Sequence, residues 1–322
     1  MNTTVFRRIF RSKNWKQQLV NNSSIIALLI IFVWIALVTP GFFTTRNMIN
    51  VLNQSAALGF MVIGITAVFI TGGIDLSIPS VMALSGILAA KAMQNEAGIM
   101  TAVVISLSVG LFLGLINGYA IGYLRMIPFV VTLSIQIIGM GLCVWLTSKV
   151  SIPISNEVYL DLFNGKVGII PVSVLYLAFM TFVVTILSKK TIWGRWLYAT
   201  GINIKTATVS GIPIRMVLLG AYAWSGLFAG MAALLVTSRL ASASSTMGQE
   251  GVVLNVVSSA VVGGVSFQGG FGSPLGAVLG ALIITLISNS MNMMQISYYT
   301  TLIVKGIVII AFVSLDSIRR RK

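Results

Sequence analysis

The sequence predicts an all-α, polytopic membrane protein of about ten transmembrane helices with an inverted repeat. Three observations predict it. First, the 322 residues are 57% hydrophobic and only 8% charged, with a mean hydropathy of +0.99. A soluble domain carries about 25% charged residues, so this chain lacks the charge to cover its apolar surface with water-facing groups. Second, apolar stretches follow one another along the chain, most of them near the roughly 20 residues that a helix needs to cross a bilayer. Third, the 21 Lys and Arg outnumber the 6 Asp and Glu and gather at the ends of the apolar stretches. That is the charge bias of loops on the cytoplasmic side, so the net charge of +15 reads as membrane orientation and not as nucleic-acid binding.

In chain order, the predicted segments are 25–38, 48–70, 80–93, 99–123, 128–146, 171–187, 214–236, 252–262, 275–287 and 298–315. Segment one follows a basic tail, 1–22, holding Arg7, Arg8, Arg11, Lys13 and Lys16, and ends at Thr39-Pro40-Gly41. No small-residue cleavage site follows it, so a retained helix is expected. Segment two stops at Thr71-Gly72-Gly73. Segment three is short unless the preceding residues, Asp75 to Pro79, lie within the membrane. Segments four and five are separated by a short turn before Pro128. Segments six and seven enclose the loop 188–213, with Lys189, Lys190, Arg195 and Lys205. Segment eight is short and closes on Gly263-Gly264. Segment nine follows Pro274, and segment ten leads to Arg319-Arg320-Arg321-Lys322.

The basic tail, the loop 188–213 and the C-terminus should then share the cytoplasmic side. An even number of spans, with six before the central loop, satisfies this. The loops 147–170 and 237–251 face outward. One domain, 1–322, is expected. Segments 2–5 and 7–10 run with opposite topologies, and interrupted segments in such inverted repeats point to a transport route. The stretch Thr71-Gly72-Gly73-Ile74-Asp75-Leu76-Ser77-Ile78-Pro79 has an echo in Gly263-Gly264 and the following Gly272-Ser273-Pro274.

The candidate residues follow from these breaks. A carboxylate at membrane depth costs a few kcal/mol on insertion scales and needs a partner or a task. Asp75 has two readings: it lies on the transport route or at a hinge, or Asp75 or Ser77 satisfies the open amides where segment three starts, with Pro79 in its first turn. The structural reading comes first. Gly72, Gly73, Gly263 and Gly264 permit backbone turns barred to other residues. Asn53, Gln54, Asn117, Gln136, Asn255, Asn289, Asn292 and Gln295 are polar side chains within or near spans. They suit the lining of a route for an uncharged sugar or polyol, and equally suit hydrogen bonds between helices. Glycines recur every four residues at Gly110, Gly114, Gly118 and Gly122, and at Gly272, Gly276 and Gly280. They read first as close internal packing and second as a subunit interface.

In the loop, Asn203 is placed to cap a short helix over 204–209, ended by Gly211 and Pro213. Its small residues Thr206, Ala207 and Ser210 permit close approach, and its apolar Ile204, Val209 and Ile212 on the water side call for a covering partner. The other reading is an interfacial helix on lipid headgroups, anchored by Trp193, Trp196 and Tyr198. Enzymatic chemistry has little to work with. The chain has no His and a single Cys, Cys143. No catalytic residue, metal-ligand spacing or cofactor is expected, and no phosphate-binding Gly-x-x-x-x-Gly-Lys followed by Ser or Thr occurs.

These residues resemble the permease subunits of bacterial ABC sugar importers of the ribose, xylose, arabinose and galactose type. The resemblance rests on Gly73-Ile74-Asp75-Leu76-Ser77; on Gly194-Arg195 with Gly201, Asn203, Ala207 and Ser210-Gly211-Ile212; on Gly263-Gly264 through Gly269-Gly270 and Gly272; and on Ser297-Tyr298-Tyr299 with Val304-Lys305-Gly306. The chain departs from that pattern at Ile78-Pro79-Ser80, at Val253-Leu254-Asn255 where the family often has Glu-Leu-Asp, and at Thr206 where alanine is usual. The resemblance implies an inner-membrane permease with no enzymatic step of its own. Its implied partners are cytoplasmic ATP-binding cassette subunits, a periplasmic sugar-binding protein and a second permease, identical or related. It also implies that Asn203, Ala207, Thr208, Ser210, Gly211 and Ile212 form the site that docks on the ATPase, so that 188–213 is a coupling loop. The alternative is an ion-gradient-driven carrier of a small polar solute, for which Asp75 is the only deep titratable candidate.

Overall fold

The computed structural model describes residue 33 and residues 39–320. Apart from Val33, the predicted first segment and the basic tail 1–22 lie outside the described residues, as do Arg321 and Lys322. The other nine predicted segments are helices: α1 (Thr45–Ile70), α2 (Ile78–Gln94), α3 (Ile99–Gly122), α4 (Pro128–Thr147), α6 (Val172–Lys190), α9 (Ile214–Leu240), α10 (Glu250–Val262), α11 (Pro274–Met293) and α12 (Tyr298–Arg320). Six of the described helices are long and apolar enough to cross a membrane, and α2 and α10 are shorter apolar helices. Where the ends differ by more than one residue they move outward, most at the C-terminal ends of α11 and α12, because helical hydrogen bonding continues past the last strongly apolar residue. The connections hold more structure than the sequence indicated. The loops between α4 and α6 and between α9 and α10 contain α5 (Glu157–Asn164) and four two-residue strands, β1 (Ile152–Pro153), β2 (Lys166–Val167), β3 (Ile170–Pro171) and β4 (Ser242–Ala243). β1 pairs with β4 and β2 with β3, both antiparallel. The loop 188–213 contains α7 (Ile192–Ile202) and α8 (Ile204–Val209).

At the centre stand α1 and α9. Nearly all of α1 from Ser55 to Ile70 is buried, whereas α3, α4 and α6 leave Phe112, Trp145, Phe179 and Phe182 exposed, as a surface in contact with lipid does. The glycine ladder of α3 lies against α9 in an antiparallel crossing. A Cβ on Gly118 would stand 2.7 Å from Leu219 Cα, one on Gly122 would stand 2.8 Å from Arg215 O, and one on Gly110 would overlap Gly226 O. The second ladder joins α11 to α10, with Gly276 on Gly263 and Gly280 on Ser259. Both ladders therefore serve packing within the chain.

Polar side chains in the spans bond helix to helix. Asn47 and Asn289 exchange two amide hydrogen bonds of 3.1 and 2.8 Å between α1 and α11. Ser173 donates to Asn53 Oδ1 at 2.6 Å. At the end of the bundle opposite α7 and α8, Tyr159 of α5 is fully buried and its hydroxyl meets Thr237 Oγ1 at 2.7 Å. Burial pushes its phenol up to about 12, which keeps it protonated and able to donate.

Trp193, Trp196 and Tyr198 lie along α7. They pack, partly buried, against Ala67, Val68, Ile70 and Tyr222, and Trp193 faces Trp224 with ring centroids 5.6 Å apart. The apolar body these side chains cover is the bundle itself, a distinction that composition does not carry.

Candidate functional site

The two glycine breaks close their helices in the same way. After α1, Gly72 N–H donates to Phe69 O and Gly73 N–H to Val68 O; after α10, Gly264 N–H donates to Val261 O and Val265 N–H to Ala260 O. Each is a Schellman motif, which needs a left-handed residue just past the helix. Gly72 (φ +81°) and Gly264 (φ +80°) supply it. Gly73 and Gly263 are not left-handed, so the expected turn does not require glycine there; they lack a side chain because of close approach: a Cβ on Gly73 would stand 2.5 Å from the Tyr222 hydroxyl, and Gly263 lies on the backbone of Gly276 and Ala277. The glycine pairs precede α2 and α11, whereas the repeat would match α2 to α10. The echo is thus a shared way of ending a helix, at places that the repeat does not equate.

Asp75 lies in the first break, 2% exposed. Its Oδ1 accepts from Ser77 N–H at 2.9 Å and from Ser77 Oγ at 2.6 Å, and its Oδ2 accepts from Ser225 Oγ of α9 at 2.7 Å. All three donors are neutral. Ser77 Oγ in turn accepts from Asn117 Nδ2 of α3 at 2.8 Å, and the Tyr222 hydroxyl donates to Ile74 O at 3.1 Å. Asn117 Oδ1 is buried and has no partner in the structure. Ser225 is about 16 Å along α9 from its start at 1.5 Å per residue, so the carboxylate sits well inside the span. At the next turn, Pro79 removes one open donor from the start of α2, and Gln136 Oε1 of α4 accepts from Ser80 N–H at 3.0 Å. The other end of that amide donates to Gly248 O at 3.2 Å, just before α10.

Asn255 lies apart from this cluster, on α10. Its Oδ1 accepts from Lys305 Nζ of α12 at 2.7 Å, and Lys305 is 5% exposed. At the position where the resembling family often has Asp, a neutral amide here meets a buried ammonium.

The loop residues form one small body. Asn203 is at once the C-cap of α7 and the N-cap of α8, and its Oδ1 accepts from Lys205 and Thr206 N–H, both at 3.0 Å. Gly211, φ +79°, and Ile212 close α8 through Gly211 N–H to Thr208 O and Ile212 N–H to Ala207 O. Ala207 faces the bundle, buried; Thr208 and Ser210 are exposed, and Val209 is 90% exposed.

The structure brings Gly72, Gly73, Asp75 and Ser77 together and gathers the six loop residues on α8 and its two ends, and it holds Asn255 elsewhere. Sequence reasoning did not single out Ser225, Tyr222 or Lys305 as site residues. Asn117 and Gln136 appeared there only among the polar residues of the spans. Ser225 carries no local signal, since a serine among small residues in an apolar helix reads as packing. Among the described residues there is no group of three or more His, Cys, Asp or Glu that could hold a metal ion.

A bundle of membrane-crossing helices, two glycine-closed breaks beside a buried carboxylate, and a capped apolar helix outside the bundle together define a membrane transport protein. Residues 47–313 match the family described as the branched-chain amino acid transport system permease component, and the chain belongs to that family. It is 32% identical over 319 residues to the ribose import permease protein of Escherichia coli (strain K12), covering 98% of each chain. It is 35% identical over 295 residues to the ribose import permease protein of Bacillus subtilis (strain 168), covering 90% of this chain and 91% of that one. It is 33% identical over 294 residues to the D-allose transport system permease protein of Escherichia coli (strain K12), covering 90% and 89%. No solved structure matches the chain.

Proposed function

We propose that this chain is the membrane-spanning permease subunit of an ATP-driven importer for a monosaccharide, working by alternating access. Its near full-length similarity to permeases named for ribose and allose import supports the sugar class. The chain contributes the route and the mechanical link, and separate subunits contribute ATP hydrolysis. The partners are ATP-binding cassette subunits on the cytoplasmic side, a periplasmic sugar-binding protein and a second permease. The protein resides in the bacterial inner membrane with both termini cytoplasmic, on the side of α7, α8 and their cations.

The observation that carries the coupling role is Val209. With Ile202 and Ile204, 68% and 50% exposed, this valine, 90% exposed, makes an apolar patch on and beside a doubly capped helix outside the bundle, a surface that suits a covering partner. Asp75 has the geometry of a positioning residue: with Ser77, Ser225, Tyr222 and Asn117 it fixes where α2 begins. Uptake measured in vesicles containing the assembled complex tests the function. Uptake is expected to require ATP and the ATPase subunits. Uptake that persists without them and collapses with an ionophore would instead establish the ion-driven carrier. A cysteine at Thr208 is expected to cross-link to the ATPase, and free labelling of that cysteine in the assembled complex would remove the docking role. The ligand bound by the partner sugar-binding protein identifies the sugar.

A further inference from the structure

Beside α8, the two breaks meet. Gly270 N–H of the second break donates to Ile70 O, the last residue of α1, at 2.8 Å. Phe267 of that break lies on Phe69 of α1, with ring centroids 4.7 Å apart. The C-terminus of α7 rests on both. A Cβ on Gly201 would overlap Ile70 O and Gly270 N, and one on Gly269 would stand 2.8 Å from Gly201 O and 3.0 Å from Gly72 N. A Cβ on Gly270 would be 2.7 Å from Ile202 Cγ1. The Tyr198 hydroxyl, one turn back on α7, donates to Gly272 O at 2.8 Å. Three separate stretches of chain therefore meet at Gly72, Gly201 and Gly269: a Cβ on Gly201 or Gly269 would hold them apart, whereas Gly72, with its nearest neighbour 3.6 Å from such a Cβ, is held to glycine by its φ of +81°.

We infer that Gly201, with Gly72 and Gly269, is the contact through which movement of α8 reaches both breaks at once. The inference rests on the ATP-coupled reading above. Asn203 ends α7 and starts α8, so α8 cannot shift without moving Gly201. Gly201 cannot move toward the bundle without displacing the end of α1 and the second break together. One break leads into α2 and the other into α11, so a single displacement reaches both halves of the chain. Gly72, Gly201 and Gly269 are positioning residues in this scheme and need not touch the solute.

The test is the ratio of solute imported to ATP hydrolysed in the complete reconstituted complex. Gly201→Ala is expected to lower that ratio at least tenfold while ATP hydrolysis stays within about threefold of wild type. A variant that only destabilises the permease would lower both activities in proportion and leave the ratio unchanged, which overturns the inference. If Gly201→Ala does not assemble, Ile202→Ala decides. That side chain is 68% exposed and touches Gly270, so its loss spares folding; it is expected to lower the ratio at least threefold, and an unchanged ratio overturns the inference. Wild-type uptake independent of ATP would overturn the proposed function and this inference together, whereas normal coupling in both variants overturns this inference alone.

Discussion

Replacing Asp75 by Asn and by Ala separates a residue that fixes a helix start from one that must carry charge. The carboxylate accepts three hydrogen bonds, at 2.9, 2.6 and 2.7 Å. Hydrogen bonds to a charged group contribute about 1.5–3 kcal/mol each and neutral ones about 0.5–1.5. Asn has the same shape. It keeps Oδ1 for Ser77 and turns its amide toward Ser225 Oγ, which can accept. The loss is about 1 kcal/mol per bond, roughly 3 kcal/mol in all. Removing the charge returns about 2.5–3.5 kcal/mol on membrane insertion scales when no polar group replaces it; Asn keeps an amide and recovers part of that, so its net change is a loss of up to about 2 kcal/mol. Ala loses all three bonds, about 6 kcal/mol, against the full return, and is left about 3 kcal/mol less stable, its Ser77 N–H without a partner. At about 2 °C or more per kcal/mol, thermal unfolding of the purified complex should fall by about 6 °C or more for Asp75→Ala and by no more than about 4 °C for Asp75→Asn. Uptake per folded complex should remain within about threefold of wild type for Asn. An Asn variant that melts as the wild type does but has lost more than tenfold in uptake refutes the positioning role and places charge on the route. An Ala variant that melts as the wild type does refutes the capping geometry.

Further predictions concern other contacts. Val209→Asp should leave the permease's own stability within about 0.5 kcal/mol, as surface changes do, and reduce co-purification of the ATPase at least tenfold, because the substituted residue is exposed until a partner covers it. Gly110→Val should separate α3 from α9 and destabilise the permease by about 1–3 kcal/mol or more, read as loss of folded protein in detergent, while Gly141→Val, where a Cβ meets nothing within 4 Å, should be silent. Asn255→Leu removes the acceptor of the buried Lys305 ammonium and should destabilise by about 1.5–3 kcal/mol; Lys305→Met in the same chain should restore most of that loss in thermal unfolding, and Asn255→Asp alone should not destabilise.

Much of this arrangement was legible because its signals are local. Nine apolar stretches became helices, since a run of apolar residues between glycines, prolines and charges has few other fates in a bilayer. The cap at Asn203 and the stop at Gly211 are written within a few residues of each other, and α8 appears with the bounds that they predict. The partners of Asp75 were not legible. Ser225 lies 150 residues away, and its choice is made by how α9 crosses α1, which the sequence of neither helix states. The aromatic residues of α7 show the same limit. A tryptophan beside a lysine-rich loop suits a headgroup region and the flank of a bundle alike, and composition does not show that α7 docks against Ala67, Val68 and Ile70. The glycine echo showed that two helices stop alike. It did not show that the two stops are in contact.

That contact also bears on which end of the first break moves. At Asp75 the break is held by three hydrogen bonds to a carboxylate, by the Asn117–Ser77 bond and by Tyr222 on Ile74 O. At the other end, the described hydrogen bond joining α1 to the second break is the neutral Gly270 N–H to Ile70 O, a type of bond that contributes about 1 kcal/mol; beside it are glycine backbone, the Phe69–Phe267 ring contact and, from α7, the Tyr198 hydroxyl on Gly272 O. A push delivered through α7 meets less resistance at Ile70 and Gly72 than at Asp75 and Ser77. The start of α2 then acts as the fixed point about which the end of α1 and the second break shift. Hydrogen exchange in the assembled complex distinguishes the two ends: the Gly270 amide should change its protection between nucleotide states, while the Ser77 amide, bound to the carboxylate, should not. Equal changes at both amides would mean that the break moves as one piece, and a change at Ser77 alone would put the hinge at Asp75.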